Sequence, residues 1–219
     1  MPALPIIGTS QSFPVRRVYC VGRNFAAHAV EMGHDPSKEP PFFFQKNPNN
    51  VLLGGGVFPY PSRSSDVHFE IELVVAIGIG GTDIPVETAL DHVFGYAVGL
   101  DMTRRDLQGE AKDLRRPWEI GKAFEHSAPC SAILPVAEAG HPSAGEIWLD
   151  VNGQRRQTGD LNQMIWKVDE TIAYLSGLFT LAPGDLIYTG TPSGVGAIVR
   201  GDVMKGFVSG VGSLEVKVA

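Results

Sequence analysis

The sequence lacks three features that would assign it to particular classes of protein. It has no apolar run near the roughly 20 residues that a membrane-spanning helix requires, so we expect no association with a membrane. Its first residues, MPALPIIGTS, have no basic region ahead of an apolar stretch, which argues against a secretory signal and predicts a cytoplasmic protein. The two cysteines, Cys20 and Cys130, form no CxxC pair and favour buried free thiols over a zinc site or a disulfide framework.

The sequence also lacks a basic stripe. With a net charge of −6 and no cluster of Lys and Arg, it is not expected to bind nucleic acid, and a small-molecule partner is the better hypothesis. What it has is 43% hydrophobic and 19% charged residues, 26 Gly and 16 Pro, which favour a globular, turn-rich β architecture. No repeat, low-complexity tract or linker divides the 219 residues, so we expect one domain over residues 1–219.

Several local patterns predict individual elements. Asn152 and Gly153, inside IWLDVNGQRRQ, predict a tight type I′ hairpin. Asp169 is expected to begin the amphipathic helix DETIAYLSGLF, and Thr103 to cap the polar helix RRDLQGEAKDL. Residues 24–33 predict a short helix, and FFFQK, residues 67–79, FGYAVGLDM and SLEVKV predict strands.

The stretch HFEIELVVAIG, residues 68–78, carries the first sign of a site. Alternate residues of a strand share a face, so Glu70 and Glu72 lie on the same side as Val74 and Ala76. That face changes from acidic to apolar in one step, which indicates a strand that enters the interior and holds the two carboxylates at the mouth of a cavity. The alternative is an ordinary solvated strand face.

Paired carboxylates on one strand face predict a cation site. Residues i and i+2 of a strand are about 7 Å apart, so Glu70 and Glu72 repel each other in a half-buried site unless a cation lies between them. Asp101 supplies a third carboxylate at the end of another apolar strand, although it could instead begin a turn. An all-oxygen set of this kind suits Mg²⁺ or Mn²⁺.

Other residues could take part in catalysis. His28 and Glu31 are three residues apart on the predicted helix, a spacing that permits a His and carboxylate dyad but also fits an exposed surface pair. Lys122, in the mostly apolar WEIGKAF, either extends to solvent or faces a polar cavity. The loop TGTPSGVG could hold a carboxylate through its amides and hydroxyls, or be a plain turn.

The order of the segments is more informative than any one of them. VGRNFAAHAVEMG, FFFQK, HFEIELVVAIG, GYAVGLDMTRRDLQ, WEIGKAF and YTGTPSGVG together resemble the fumarylacetoacetate hydrolase family, in its single-domain, acylpyruvase-like branch. The resemblance extends from about residue 15 to 218. It implies a β-rich α+β fold, a mixed β-sandwich or β-roll with a few short peripheral helices, usually paired as a homodimer.

The resemblance also implies roles for particular residues. Mg²⁺ or Mn²⁺ would be held by Glu70, Glu72 and Asp101. The catalytic residues would be His28, Glu31 and Lys122. Positions that line the substrate pocket in relatives match Arg23, Lys46, Arg105, Gln108 and Thr191.

The activity that the resemblance implies is hydrolysis of a carbon–carbon bond in an acylpyruvate, a 2,4-diketo acid. EPPFFFQK, RRDLQGEAK and KAFEHSAPC are most similar to members that convert fumarylpyruvate to fumarate and pyruvate in aromatic catabolism through gentisate. Decarboxylation of oxaloacetate or isomerisation of a 2-hydroxy-diene-dioate, as in other relatives, is an alternative, and a non-catalytic metal-stabilised scaffold is another. Intact His28 and Glu31 favour hydrolysis, because only that reaction needs an activated water.

Overall fold

The structure is a computed structural model that describes residues 2–27 and 39–219. Its strands are β1 (Ala3–Pro5), β2 (Ser12–Pro14), β3 (Arg17–Gly22), β4 (Phe42–Lys46), β5 (Val51–Leu53), β6 (Gly56–Phe58), β7 (Val67–Phe69), β8 (Ile71–Ile77), β9 (Val93–Leu100), β10 (Thr103–Arg104), β11 (Ala128–Cys130), β12 (Leu134–Pro135), β13 (Glu146–Val151), β14 (Gln154–Asp160), β15 (Asp185–Tyr188), β16 (Gly196–Ala197), β17 (Val203–Val208) and β18 (Gly212–Val218). Its helices are α1 (Arg105–Asp113), α2 (Glu119–Lys122), α3 (Val136–Ala139) and α4 (Val168–Leu178), with 3₁₀ turns at Pro48–Asn50, Val86–His92 and Leu161–Gln163.

Two large sheets form the body of the protein. The first has eight strands in the order β4-β3-β15-β8-β9-β11-β5, with β12 paired to β9. The second has the order β14-β13-β17-β18-β6, and two small sheets, β10-β7-β16 and β1-β2, complete the described part. This strand-rich architecture with few, short helices confirms the predicted fold class.

Strand β8 is buried on both faces, and its alternating side chains enter different cores. Ile71, Leu73 and Val75 belong to the larger core, which also contains residues of the second sheet. Val74 and Ala76 belong to a smaller core on the opposite face. Close packing joins the two large sheets, since a methyl group added to Gly206 of β17 would lie 2.4 Å from Ile71 Cδ1. The apolar half of the stretch at residues 68–78 therefore runs through the interior, as its pattern predicts.

Two local predictions are confirmed. Strands β13 and β14 form a hairpin in which Val151 pairs with Gln154, and the two residues between them, Asn152 and Gly153, have positive φ of 52° and 76°. Type I′ turns require this conformation at both central residues, and Asn-Gly adopts it at low cost. Helix α4 includes Asp169 in its first turn, where a carboxylate interacts favourably with the helix dipole.

Other expectations need correction. Thr103 does not cap α1, because it lies in the short strand β10 and its hydroxyl donates to the carbonyl of Asp101 at 3.2 Å. The strand expected at residues 67–79 is interrupted at Glu70. The helix expected at residues 24–33 lies mostly outside the described residues. No helix in the described ranges combines the length and the apolar character needed to cross a membrane.

Candidate active site

Three buried carboxylates meet in the first sheet. Glu70 lies between β7 and β8, Glu72 lies in β8, and Asp101 follows β9. Their exposed fractions are 5%, 1% and 1%, and each offers an oxygen within 4.8 Å of the other two. This is the cluster that the acidic residues of the sequence predict, and it is buried rather than solvated.

The pairing of β8 with β9 brings the third carboxylate to the first two. The strands are antiparallel, with Ile71 opposite Leu100 and Glu72 opposite Gly99. Asp101 is the next residue after Leu100, so it arrives beside Glu70, and its backbone N–H donates to the Glu70 carbonyl at 2.8 Å. Residues 31 positions apart in the chain thus become neighbours through strand register.

Cationic side chains surround this carboxylate cluster. Lys122 Nζ donates to Glu70 Oε2 at 2.8 Å and to Asp101 Oδ2 at 2.6 Å. Arg105 Nη2 lies 2.6 Å from Glu70 Oε1, and Lys46 Nζ lies 2.8 Å from Asp101 Oδ1. Buried charges need partners of this kind, because isolated ions lose too much hydration energy in the interior.

Lys122 is held as a charged donor. Burial alone would lower its pKa, but the carboxylates of Asp101 and Glu70 outweigh burial, and the pKa of Lys122 is raised. Its side chain is only 3% exposed. The alternative in which Lys122 extends to solvent is therefore wrong, and its ammonium group faces the carboxylate cluster.

Glu72 differs from the other two carboxylates because it forms no ion pair with a Lys or Arg of the described residues. Its Oε2 instead accepts a hydrogen bond from the backbone N–H of Gly190, at 2.8 Å. Burial, followed by the charges of Asp101 and Glu70, raises the pKa of Glu72 well above its usual range, against the opposing effect of that N–H.

The donor set fits a hard divalent cation. Oxygen ligands around Mg²⁺ lie about 2.1 Å from the metal, so neighbouring ligands are about 3 Å apart and opposite ones about 4 Å apart. The three carboxylate oxygens are arranged on this scale, within 4.8 Å of one another. A cation would also give Glu72 the ion pair that no Lys or Arg of the described residues forms with it. Glu70, Glu72 and Asp101 could therefore hold Mg²⁺ or Mn²⁺.

Gln157 stabilises the backbone around the carboxylate cluster, and our sequence reasoning missed it. This fully buried residue of β14 accepts from the N–H of Ile71 at 3.0 Å through Oε1. Its Nε2 donates to Thr191 Oγ1 and to the Pro192 carbonyl, both at 2.8 Å. It thereby ties the interruption at Glu70 to the loop TGTPSGVG. The only signal in the sequence is a polar residue at a buried strand position, which is not specific.

A small cavity opens beside the carboxylate cluster. Its volume is about 40 Å³. The predicted residues that line it are Arg23, Glu70, Glu72, Asp101, Arg105, Gln108, Lys122 and Thr191. Phe42, Phe44, Trp118 and Lys112 complete most of the wall, and none of these four was singled out from the sequence. Lys112 had a usable signal, since it lies four residues after Gln108 on the same helix face.

Among the described residues, one predicted site residue, Lys46, is not part of this lining. Lys46 lies behind the cavity, where its Nζ donates to the carbonyls of Met102, at 3.1 Å, and of Lys122. His28 and Glu31 lie outside the described residues. In the described part of the chain that precedes them, the side chain of Asn24 donates to the carbonyls of Trp166 and Thr189 at 2.9 and 2.8 Å.

The strand-rich fold contains a buried cluster of carboxylates with cationic side chains around it. These features are typical of the class of proteins that bind a hard cation beside a small anionic ligand. Comparisons with known proteins are specific about the family. The model of the fumarylacetoacetate (FAA) hydrolase C-terminal family matches residues 17–219, and the chain belongs to the fumarylacetoacetate hydrolase family.

Individual relatives agree with this assignment. A fumarylpyruvate hydrolase from Ralstonia sp is 46% identical over 84% of this chain and 95% of its own length. A mitochondrial oxaloacetate decarboxylase from Dictyostelium discoideum is 42% identical over 90% of each chain. The crystal structure of fumarylpyruvate hydrolase from Pseudomonas aeruginosa in complex with Mn²⁺ and pyruvate has a TM-score of 0.97 and 55% identity, covering 100% of this chain and 95% of that one.

Proposed function

We propose that this protein is a metal-dependent hydrolase that cleaves the carbon–carbon bond of an acylpyruvate, with fumarylpyruvate as substrate and fumarate and pyruvate as products. The observation that carries the proposal is the buried cluster of Glu70, Glu72 and Asp101 beside a cavity lined by cations. It occurs in a chain similar over most of its length to proteins named fumarylpyruvate hydrolase, one of them in complex with Mn²⁺ and pyruvate. Such an enzyme would act in aromatic catabolism through gentisate.

Glu70, Glu72 and Asp101 would hold Mg²⁺ or Mn²⁺. When bound, the cation would supply positive charge that stabilises the negative charge developing on the pyruvoyl part of the substrate. Lys122 adds a second fixed positive charge at the same wall of the cavity, because Glu70 and Asp101 keep its Nζ protonated and in place. Its hydrogen-bond donors cost no reorganisation during the reaction.

The water that attacks the acyl carbonyl needs a base, and we assign this role to His28. In this proposal Glu31 orients the imidazole and stabilises its protonated form, while a ring nitrogen of His28 takes the proton from water. The support is the HxxE spacing and the similarity to the family. Asn24 adds to it, since its bonds to Thr189 and Trp166 fix the chain near the cavity four residues before His28.

Substrate binding is assigned to residues that line the cavity. Arg105 and Gln108 share one face of α1, and Arg105 Nη1 donates to Gln108 Oε1 at 2.8 Å, which orients both groups. Thr191 and Arg23 face the same space. We give Lys46 a supporting role, since its contacts are with Asp101 and two backbone carbonyls rather than with the cavity.

A second candidate function uses the same site without an activated water: decarboxylation or tautomerisation of oxaloacetate, or isomerisation of a 2-hydroxy-diene-dioate. The relative from Dictyostelium discoideum named oxaloacetate decarboxylase supports it, as does one from Arabidopsis thaliana, 41% identical, named oxaloacetate tautomerase. The His28 and Glu31 pair in this sequence favours hydrolysis over these reactions.

The proposal also includes the domain organisation, the oligomeric state and the location of the protein. We expect one catalytic domain over residues 1–219, supported by a larger core that includes residues from Tyr19 to Val218 and a smaller core that includes residues from Leu4 to Tyr188. We expect a homodimer, which light scattering would measure, and a cytoplasmic location. Cys20 and Cys130 are both free and buried, as is common for proteins of a reducing compartment.

A substrate panel tests the proposed function. Enzyme stripped with EDTA and enzyme reloaded with Mg²⁺ or Mn²⁺ would each receive fumarylpyruvate, acetylpyruvate or oxaloacetate, with products identified by mass spectrometry. We expect fumarate and pyruvate from fumarylpyruvate, and only with metal. Turnover of oxaloacetate alone would favour the second candidate, and full activity in metal-free enzyme would contradict the assignment of the carboxylate cluster.

A further inference from the structure

The outer wall of the cavity carries a lysine that the proposed chemistry does not use. Lys112 belongs to α1 and lies seven residues after Arg105 and four after Gln108, so all three project from one face of the helix. All three line the cavity. Arg105 and Gln108 are tied to each other, and Arg105 is also tied to Glu70.

Lys112 forms no ion pair with a carboxylate in the part of the chain that the structure describes. Its Nζ instead lies 5.1 Å from the centroid of the Trp118 ring. The side chain is half-buried, and burial together with the charges of Arg105, Arg23 and Lys122 lowers the pKa of Lys112. A partly desolvated cation among other cations gains strongly from a bound anion.

Arg23 occupies a matching place at the other end of the same aromatic wall. Its guanidinium carbon lies 5.2 Å from the centroid of the Phe42 ring, and the Phe42 ring meets that of Trp118 edge to face at 5.5 Å. Arg23 has a positive φ of 56°, an uncommon conformation for a residue other than Gly. Its ion pair with Glu39, at 3.4 Å, is with a carboxylate that is 51% exposed. Two cations thus flank two rings beside the carboxylate cluster.

We propose that Lys112 binds the carboxylate at the far end of the acyl group and so selects a dicarboxylic acyl chain over a neutral one, with Arg23 as a second cation across the rings of Phe42 and Trp118. This inference rests on the proposed function. An acylpyruvate with a fumaryl group carries two carboxylates, and only the one on the pyruvoyl part belongs near the metal ligands. The aromatic wall of Phe42 and Trp118 lies between the two cations and suits the flat, unsaturated carbons that connect the ends.

The test compares two substrates, of which fumarylpyruvate carries this carboxylate and acetylpyruvate ends in a methyl group. Lys112→Gln removes the charge and keeps a polar side chain, and Lys112→Arg keeps the charge. We expect the ratio of kcat/KM for fumarylpyruvate to kcat/KM for acetylpyruvate to fall about 10- to 100-fold in Lys112→Gln, the range for a lost charge-assisted hydrogen bond. Lys112→Arg should recover most of the ratio, and Lys205→Gln, at an exposed position of β17, should keep it.

Binding supplies a readout that is independent of turnover. Calorimetry with the Mn²⁺-loaded enzyme should show weaker binding of fumarate to Lys112→Gln, with a much smaller change for pyruvate. An unchanged substrate ratio, or equal losses with both substrates and both ligands, would overturn the role of Lys112. If the wild-type enzyme cleaved neither acylpyruvate, the proposed function would fail, and the fumarate measurement would still decide whether Lys112 binds a dicarboxylate.

Discussion

Glu72 is the member of the carboxylate cluster with the weakest charge compensation among the described residues. Lys122 and Arg105 form ion pairs with Glu70, and Lys122 and Lys46 form ion pairs with Asp101, whereas Glu72 forms none within the described residues and accepts a hydrogen bond from the N–H of Gly190. A buried carboxylate with a raised pKa and no ion pair in the described ranges is unusual in a structural role, because burial of a poorly compensated charge is costly. Such a residue is typical of functional sites.

The first prediction changes Glu72 alone. Glu72→Gln removes one charge from the carboxylate cluster with little change in volume, so we expect Mn²⁺ affinity to fall by about tenfold or more while the fold is retained. Calorimetric titration with Mn²⁺ measures the affinity, and a thermal melt checks the fold. Glu215→Gln, at an exposed position of β18, is the matched control. An Mn²⁺ titration identical to that of the wild type would mean that Glu72 is not a ligand.

A second prediction at the residue scale concerns the base. His28→Ala should lower kcat for fumarylpyruvate by about 10² to 10⁴-fold, the usual contribution of a general base, while Mn²⁺ affinity stays the same. Steady-state kinetics at saturating Mn²⁺ gives the first quantity, and titration with Mn²⁺ the second. Turnover of oxaloacetate, if present, should fall much less, because that reaction needs no activated water. Retained hydrolysis would show that His28 and Glu31 are an ordinary surface pair.

At the scale of elements, the site depends on where β7 ends and β8 begins. The two strands are separated at Glu70, and the N–H of Ile71 donates to the side chain of Gln157. The Nε2 of the same side chain donates to Thr191 Oγ1 and to the Pro192 carbonyl. Gln157, a residue of the second sheet, therefore positions two segments that line the cavity. The hairpin of β13 and β14, which carries Gln157, therefore supports the site from outside it.

The third prediction tests this support. Gln157→Leu leaves the N–H of Ile71 buried without an acceptor, which should lower the free energy of unfolding by about 1 to 3 kcal/mol. Mn²⁺ affinity should also fall, because Glu70 and Glu72 flank the released N–H. Chemical denaturation measures the stability, and Gln154→Leu, at an exposed position at the start of β14, is the control. Stability and affinity equal to those of the control would contradict the supporting role.

Sequence patterns predicted some elements well because their causes are local. The Asn152 and Gly153 turn follows from backbone preferences, and the alternation in β8 follows from strand geometry. Thr103 shows where local reasoning fails: a Thr before a helix is a good cap, but here the chain continues into β10 to pair with β7. Tertiary pairing outweighed the local preference, and the sequence carries no sign of it.

At the scale of the whole molecule, the first sheet explains why the carboxylate cluster is buried. The larger core packs on one of its faces and the smaller core on the other, so side chains from its central strands have little access to water. Glu72 lies in β8 on the same face as Val74 and Ala76 of the smaller core, Asp101 follows β9, and both are 1% exposed. Burial away from bulk water strengthens the charge interactions within a site, which favours stabilisation of developing charge.

The sequence was enough to predict which carboxylates form the candidate site, but not which side chains contact them. Spacing and family resemblance pointed to Glu70, Glu72 and Asp101, and the structure brings them together. The pairing of Lys122 with two of them could not be predicted, because a lysine in an apolar segment fits both solvent and cavity until the fold is known. Gln157 could not be found for the same reason: its partners are distant in sequence.

Addition of water at the acyl carbon is the central step of the proposed reaction, and isotope labelling measures it directly. Mn²⁺-loaded enzyme would receive fumarylpyruvate in water enriched in ¹⁸O, with fumarate analysed by mass spectrometry against fumarate incubated under the same conditions. We predict that each fumarate formed contains one ¹⁸O atom from the solvent, and that enzyme stripped with EDTA forms none. Fumarate without ¹⁸O, or the same rate of formation without metal, would contradict metal-dependent hydrolysis at this site.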